Sequence, residues 1–414
     1  MLREVTLNPS PDSFSLLFTP LTRLLMQKFR EEGSELRIVG GAVRDCLLGQ
    51  PPNDIDFSTP ALPSDVITWI QQIGLHAIPT GILFGTITAY EKSTRRAFEI
   101  TTLRRDLRTD GRYASVEFTT QWPEDAARRD FTINALYCDD QGILHDFFGG
   151  RKDLAAGRLR FIGNPQKRID EDHLRILRYF RFWSQFGRAM PETALLRLLE
   201  EAAPRLQTLS GERIWKELQA ILTTARFGEA LWLMRRVLAP ILGVICPSLS
   251  AYTFWDHPLL QNPFLRLSFF IPSITAYRLI KERLHFSHKE SIDLRTLILY
   301  EQYDVRRAEE RLRHALRLPL QELCSLRLAA DVVHAVFAGI LEEKEALSVL
   351  DDIAATDFPQ FPIGGKELIP LGIPPGPTMG QILRETHTWW VSENGQPAQE
   401  ECLVVAQNIY QSIL

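Results

Sequence analysis

The chain is poor in cysteine, in net charge and in long apolar runs. Its five cysteines, Cys46, Cys138, Cys246, Cys324 and Cys402, lie far apart with no C-x-x-C pair. That spacing excludes a disulfide framework and a cysteine zinc site, and it implies reduced thiols in a cytoplasmic protein. Net charge is −4 over 414 residues, so no global basicity marks a nucleic-acid binder, and any polyanion site must come from local clustering. No charged-then-apolar segment opens the chain, and the most apolar later stretch, residues 231–246, is broken by Arg235 and Arg236. Neither a targeting peptide nor a membrane span is therefore expected. No internal repeat is evident.

What is present divides into two regimes. Up to about residue 150, strand and helix signals alternate. "LRIVGG" reads as a strand ending in a glycine turn, "AVRDCLLG" as a helix closed by Gly49, and "NDIDFST" as a second strand. "PSDVITWIQQIG" reads as a helix with Ser64 at its N-cap and Gly74 past its end. "GTITAYE" and "RAFEITTL" alternate about a polar turn, as a hairpin does, and "YASVEFT" is a further strand. Together they make an α/β unit of about five strands. From Glu124 onward the pattern is helical, with helices expected around residues 124–137, 168–186, 192–202, 211–222 and 228–238. A proline-rich segment at 359–377 precedes a last helical stretch.

Chemistry concentrates between Val39 and Phe57. Asp54 and Asp56 are two apart on the expected strand, which sends both side chains to one face. Two adjacent carboxylates repel unless a cation lies between them, and oxygen-only ligation suits Mg²⁺ with substrate phosphates among its ligands. An exposed acidic strand end is the alternative. The glycine turn upstream favours the cation: Gly40 and Gly41 let backbone N–H groups approach an anion at a helix N-terminus, with Arg44 in the first turn. Glu99, in "AFEITTL", is the candidate third carboxylate of a two-metal site, or else a solvent-facing strand residue.

The order Gly40-Gly41-x-Val43-Arg44-Asp45, then Asp54-x-Asp56, resembles the signature of class II tRNA nucleotidyltransferases and bacterial poly(A) polymerases. These belong to the DNA polymerase β-like nucleotidyltransferase superfamily. "DGR" (110–112), "RRDFTINAL" (128–136), "DFFGGRKDL" (146–154), "RIDEDHLRILRYFRF" (168–182) and "GERIWKEL" (211–218) follow in the family's order. The resemblance implies an α+β fold, with a small polymerase-β-like head carrying a mixed or antiparallel sheet and then all-helical parts. The expected division is a catalytic head at 1–150, a neck at 151–225 that recognises the nucleotide, a body at 226–340 and a tRNA-binding tail at 341–414. It further implies template-free addition of C, C and A to the tRNA 3′ end from CTP and ATP. Mg²⁺ would be held by Asp54 and Asp56, and catalysis would rest on these two with Glu99. A poly(A) polymerase, or an enzyme adding only A or only CC, is the alternative.

Base selection is expected from Asp172 and Arg175, read as i, i+3 neighbours on one helix. A carboxylate accepts from an exocyclic amine and a guanidinium donates to an unprotonated ring nitrogen. Cytosine and adenine both offer that pair, whereas uracil and guanine offer its reverse. Buried polar groups left unpaired by a wrong partner can discriminate by roughly 10⁴-fold. By the resemblance, Glu171 orients Arg175, while Arg128, Arg129 and Asp130 contact the incoming nucleotide. Arg178 and Arg181 extend the nucleotide-binding set. On one continuous helix, about 100° per residue turns Arg181 away from Asp172.

The loop at 101–112 resembles the family's switch between C and A addition, with Tyr113 and Ala114 where the family usually has Arg and Pro. Glu212, Arg213 and Glu217 are given no chemistry. Residues 151–190 hold ten Lys/Arg against four Asp/Glu, a local +6 suited to RNA beside the site. Residues 341–360, with six acidic residues and one Lys, are a poor place for RNA backbone. Trp389 and Trp390 are expected to be core residues, and His145-Asp146 stands alone without a metal cluster.

Overall fold

The structure, a computed structural model, describes residues 11–109, 114–242, 254–271, 273–298, 305–316 and 324–413. Two compact units form, Met1–Ile221 and Leu222–Leu414. "DGR" at 110–112 and Cys246 lie outside the described residues.

The first unit contains nine strands among its described residues: β1 (Arg37–Val39), β2 (Asp56–Thr59), β3 (His76–Gly81), β4 (Thr86–Glu91), β5 (Arg96–Thr102), β6 (Arg104–Thr109), β7 (Ala114–Phe118), β8 (Leu136–Cys138) and β9 (Leu144–Asp146). Seven build one mixed sheet in the order β3-β4-β5-β2-β1-β8-β9, and β6 pairs with β7 as a separate ribbon. The β2–β5 pair is parallel and sets Asp56 opposite Glu99. β4 and β5 are the antiparallel hairpin that their alternation indicates.

Helices α1 (Pro20–Glu31), α2 (Gly41–Leu47), α3 (Pro63–Gln72) and α4 (Trp122–Ala127) accompany the sheet, followed by α5 (Gly150–Ala155), α6 (Pro165–Glu171), α7 (Arg175–Phe186), α8 (Thr193–Ala202) and α9 (Gly211–Leu222). α1 starts where Thr19 accepts the Thr22 N–H and Pro20 pre-sets the first turn. Its apolar face buries Leu25, Met26 and Phe29, and Phe29 meets Trp69 of α3 edge-on at 5.1 Å. Phe131 ties the strand region to α7: its ring lies 4.7 Å from Phe161, 6.0 Å from Tyr179 and 5.5 Å from Phe182. Each such buried ring contributes about 1.5–3 kcal/mol, so α7 is held firmly against the residues that follow Asp130.

Several expected elements take a different form. The segment 124–137 holds the end of the short helix α4, a 3-10 turn at Thr132–Asn134 and the start of strand β8, because Leu136–Cys138 pairs with β1 and is buried on both faces. The stretch 168–186 is two helices, α6 and α7, with Asp172 extended between them at φ −151°, ψ 106°. The helix expected at 228–238 is Phe227–Leu233 and Arg235–Leu242, interrupted at Met234. α3 begins after Leu62, which puts Ser64 inside the helix rather than at its cap. Within the expected loop at 101–112, the described residues 101–109 are mostly strand, the end of β5 and then β6.

The second unit is helical throughout its described elements. Trp390 is buried among Leu316, Ile382 and Cys402, with Trp389 half-buried against them, so both tryptophans serve the core. Cys46, Cys138, Cys324 and Cys402 are buried. Among the described residues no helix is long and apolar enough to cross a membrane.

Candidate active site

A cavity of about 610 Å³ opens in the first unit, where α2, the start of β2, the end of α4 and the α6–α7 junction converge. Apart from Glu99, every residue singled out above as catalytic or nucleotide-binding lines it: Gly40, Gly41, Arg44, Asp54, Asp56, Arg128, Arg129, Asp130, Asp172, Arg175, Arg178 and Arg181. Asp45, Asn53, Asn134, Phe182 and Gln185 are on its wall too. Six arginines and five aspartates therefore face one space, the composition of a site for a polyanion with its counter-cation.

Of the two glycines of the turn, Gly40 does not supply its N–H to an anion. Gly40 has φ 74°, in the left-handed region where glycine fits without strain. Its N–H donates to the Leu136 carbonyl at 2.9 Å, so that group ties the turn to β8 and does not face an anion. Arg44 is buried and well held. Its Nε donates to Asp45 Oδ1 at 2.9 Å, its Nη1 donates to Asn134 Oδ1 at 2.6 Å, and its guanidinium lies over Phe186 at 4.3 Å.

Asp54 lies in the loop before β2, which starts at Asp56, so loop geometry and not strand alternation brings both carboxylates to the cavity. The cavity walls desolvate Asp56, and with Glu99 beside it and Asp54 near, its carboxyl is raised to about 6; Arg129 pulls the other way. Glu99 sits next to Asp56 across the parallel pair, outside the cavity lining. Among the described residues no three Asp, Glu, His or Cys side chains converge to hold a metal unaided. Two crowded carboxylates, with that of Asp56 raised, fit a hard cation that completes its shell with substrate phosphates and water.

The RRD group rests on a residue that the sequence did not single out. Asp125, fully buried on α4, accepts from Arg128 Nε at 2.7 Å, Arg129 Nη2 at 3.2 Å and Tyr137 Oη at 2.8 Å. Burial alone would raise its pKa, but Arg129, Arg128 and the tyrosine hold it at about 2. Arg129 also donates to Ser58 Oγ on β2 at 3.2 Å. Breaking a buried pair leaves charge uncompensated, so Asp125→Ala is expected to cost about 3–5 kcal/mol of stability. Denaturant unfolding checks this; a change within about 0.5 kcal/mol would contradict it.

Asp130 accepts from the Phe131 N–H at 2.8 Å, Asn134 Nδ2 at 3.1 Å and Arg178 Nε at 2.8 Å. Burial would raise its pKa, yet Arg178 and these hydrogen bonds hold it below the usual range. Arg178 and Arg181 also flank Glu217 of α9, with N–O separations of 3.8 and 3.1 Å. Arg181 shares the cavity with Asp172 because the helix breaks before Arg175, which removes the opposition that a continuous helix would impose.

At that break, Arg175 Nη1 donates to Glu171 Oε2 at 2.7 Å and to the Arg168 carbonyl at 3.0 Å, and Nη2 donates to the Arg128 carbonyl at 3.0 Å. Glu171 thus orients Arg175, as the resemblance implies. Asp172 Oδ1 accepts the Leu174 N–H at 3.1 Å, and Arg213 Nη2 reaches both its oxygens at 3.3 and 3.4 Å. Asp125 and Asn134 are the arginine partners that sequence reasoning missed, whereas Arg213 and Glu217, given no chemistry above, support Asp172 and the arginines of α7. Their signal was indirect: clustered arginines require carboxylate and amide partners from elsewhere in the chain.

Mixed sheet, glycine turn, paired aspartates and a divided arginine-rich helix define a nucleotidyltransferase of the polymerase-β-like class. A family model described as the Poly A polymerase head domain matches residues 36–160. The chain is 35% identical over 409 residues to CCA tRNA nucleotidyltransferase 1, mitochondrial, of Danio rerio, covering 96% of this chain and 93% of that one. Against the Homo sapiens protein of the same name the identity is 35% over 406 residues, covering 95% and 91%. Its fold resembles the crystal structure of the Bacillus stearothermophilus CCA-adding enzyme in complex with CTP, with a TM-score of 0.67, 27% identity and coverage of 93% and 94%. The chain belongs to the CCA tRNA nucleotidyltransferase family.

Proposed function

We propose that this protein completes the 3′ end of tRNA, adding C, C and A from CTP and ATP without a nucleic-acid template and releasing pyrophosphate. The observation that carries the reading is the joint presence, in one cavity, of Asp54 and Asp56 with Asp172 and an Arg175 anchored on three acceptors. Arg175 retains its Nε–H and one Nη2–H for the unprotonated ring nitrogen of cytosine or adenine, and Asp172 accepts from the exocyclic amine. The tRNA 3′-hydroxyl gives up its proton to solvent and its oxygen forms a bond to the α-phosphorus as the bond to the bridging oxygen of pyrophosphate breaks. Asp54 and Asp56 would hold Mg²⁺, which when bound supplies positive charge to the triphosphate and the attacking oxygen. Glu99 is the third carboxylate beside Asp56. Arg44, Arg128, Arg129, Arg178 and Arg181 neutralise and orient the triphosphate, Asp130 takes the sugar, and the Gly40–Gly41 turn shapes the wall.

The basic excess over 151–190 supports an RNA backbone beside the cavity. We divide the chain into head 1–150, neck 151–225, body 226–340 and tail 341–414, and place it in the cytoplasm, which the scattered cysteines support. A transcript lacking its last three nucleotides should take up label from CTP alone, and one ending in CC should take it from ATP alone. Uptake of ATP by the shorter transcript with none of CTP would point to a poly(A) polymerase.

The β6–β7 hairpin is the proposed element that resets the pocket from C to A. Its base is closed, since Thr119 N–H donates to the Leu103 carbonyl at 2.9 Å, so a short Gly-Ser linker can replace residues 104–118 without pulling the ends apart. The shortened protein should still add CC and should lose most of the final A, read on sequencing gels. Equal loss of all three additions would assign the hairpin a purely structural role.

A further inference from the structure

The two halves of the proposed base reader are anchored unequally. Arg175 has three anchors, on Arg168, Glu171 and Arg128, whereas Asp172 sits in the gap between α6 and α7 with extended backbone, so neither helix dictates where its carboxylate points. Two contacts fix it. The Leu174 N–H holds Oδ1 from within the same turn at 3.1 Å. Arg213, in the first turn of α9, spans Oδ1 and Oδ2 from Nη2 at 3.3 and 3.4 Å.

We propose that Arg213 is a specificity-determining positioning residue: it holds the plane of the Asp172 carboxylate so that one oxygen faces the exocyclic amine of cytosine or adenine. The proposal rests on the reading of Asp172 and Arg175 as the base reader. A carboxylate offers about four lone-pair sites, so the Leu174 N–H and Arg213 together still leave room for the amine. With the plane fixed, the carbonyl that uracil or guanine presents meets a carboxylate oxygen that cannot turn away. Without Arg213 the carboxylate rotates about Cβ–Cγ, the amine contact weakens and the carbonyl is no longer repelled. Arg213 and Asp172 are 47% and 35% exposed at the side chain, and exposed ion pairs contribute little to stability. The effect therefore falls on selection and not on folding.

The test compares Arg213→Ala, Arg213→Lys and Arg175→Ala in the full chain, with kcat/KM for each of CTP, ATP, UTP and GTP and thermal unfolding of each protein. Arg213→Ala should keep its Tm, lose roughly tenfold in kcat/KM for CTP and ATP, and raise UTP use relative to CTP by roughly tenfold, the scale of one charge-assisted hydrogen bond. Arg213→Lys should recover part of the discrimination. Unchanged discrimination in Arg213→Ala, with Arg175→Ala impaired, would overturn this role and leave the base reader standing. A uniform slowing of all four nucleotides by Arg213→Ala would make Arg213 a support for α9. Unchanged discrimination in both alanine variants would remove the base reader and this inference together.

Discussion

An Asp56→Ala protein is expected to be folded and inactive, with transfer reduced by roughly 10³-fold or more. Charge stabilisation by a carboxylate-held cation supplies several kcal/mol, and each 1.4 kcal/mol is about tenfold in rate. Stability should not fall. Asp56 is crowded by its walls, Glu99 and Asp54, which raise its carboxyl to about 6. A carboxyl raised above its unfolded value makes the folded state bind protons more readily, so its ionisation opposes folding above about pH 6, and that cost fades as pH drops toward the unfolded value. Alanine removes the cost at neutral pH. The same proton competes with the cation, so transfer by the unaltered protein at limiting Mg²⁺ should decline below about pH 6. Asp54→Ala should match the loss of rate. Incorporation measured beside circular dichroism decides the matter: substantial activity in a folded Asp56→Ala protein would remove the metal-site reading.

The second large effect is on choice of base. Arg175→Ala deletes the proposed donor to the ring nitrogen and unties the α6–α7 junction, because the Arg168 and Arg128 carbonyls and Glu171 all lose a partner. Arg168 remains paired with Glu171 at 2.5 Å, which keeps that carboxylate from being stranded. A charge-assisted hydrogen bond is worth about 1.5–3 kcal/mol, a ten- to hundredfold effect. Use of CTP and ATP should fall by that factor, and use of UTP and GTP relative to them should rise at least tenfold. If all four nucleotides slow by one factor, Arg175 supports the junction or the phosphates, and base reading must be assigned elsewhere.

Much of the head was legible because its signals are local. The glycine turn after β1, the helix closed by Gly49, the β4–β5 alternation and the periodicity of α8 and α9 all come from neighbouring residues. Where the reading failed, the deciding contact was distant or the period absent. β8 is three residues buried on both faces, so no alternation marks it, and its pairing with β1 decides its form. Nothing in "DEDHLRILRYFR" breaks a helix by propensity. The Asp172 side chain instead takes the Leu174 N–H, a local bond that competes with helix continuation. The cavity residues were identified by resemblance, but the partners of the arginines were not. Asn134 reaches Arg44 across 90 residues and Glu217 reaches Arg181 across 36, distances over which sequence carries no pairing signal.

One measurement bears most directly on the whole account. Purified protein is incubated with a tRNA transcript lacking its last three nucleotides, all four triphosphates and Mg²⁺, and the product 3′ ends are sequenced. The expected product is C, C, A and then a stop, with uracil and guanine absent. A run of adenines, or growth that ends after CC or after a single A, would contradict the assignment of complete CCA addition to this chain.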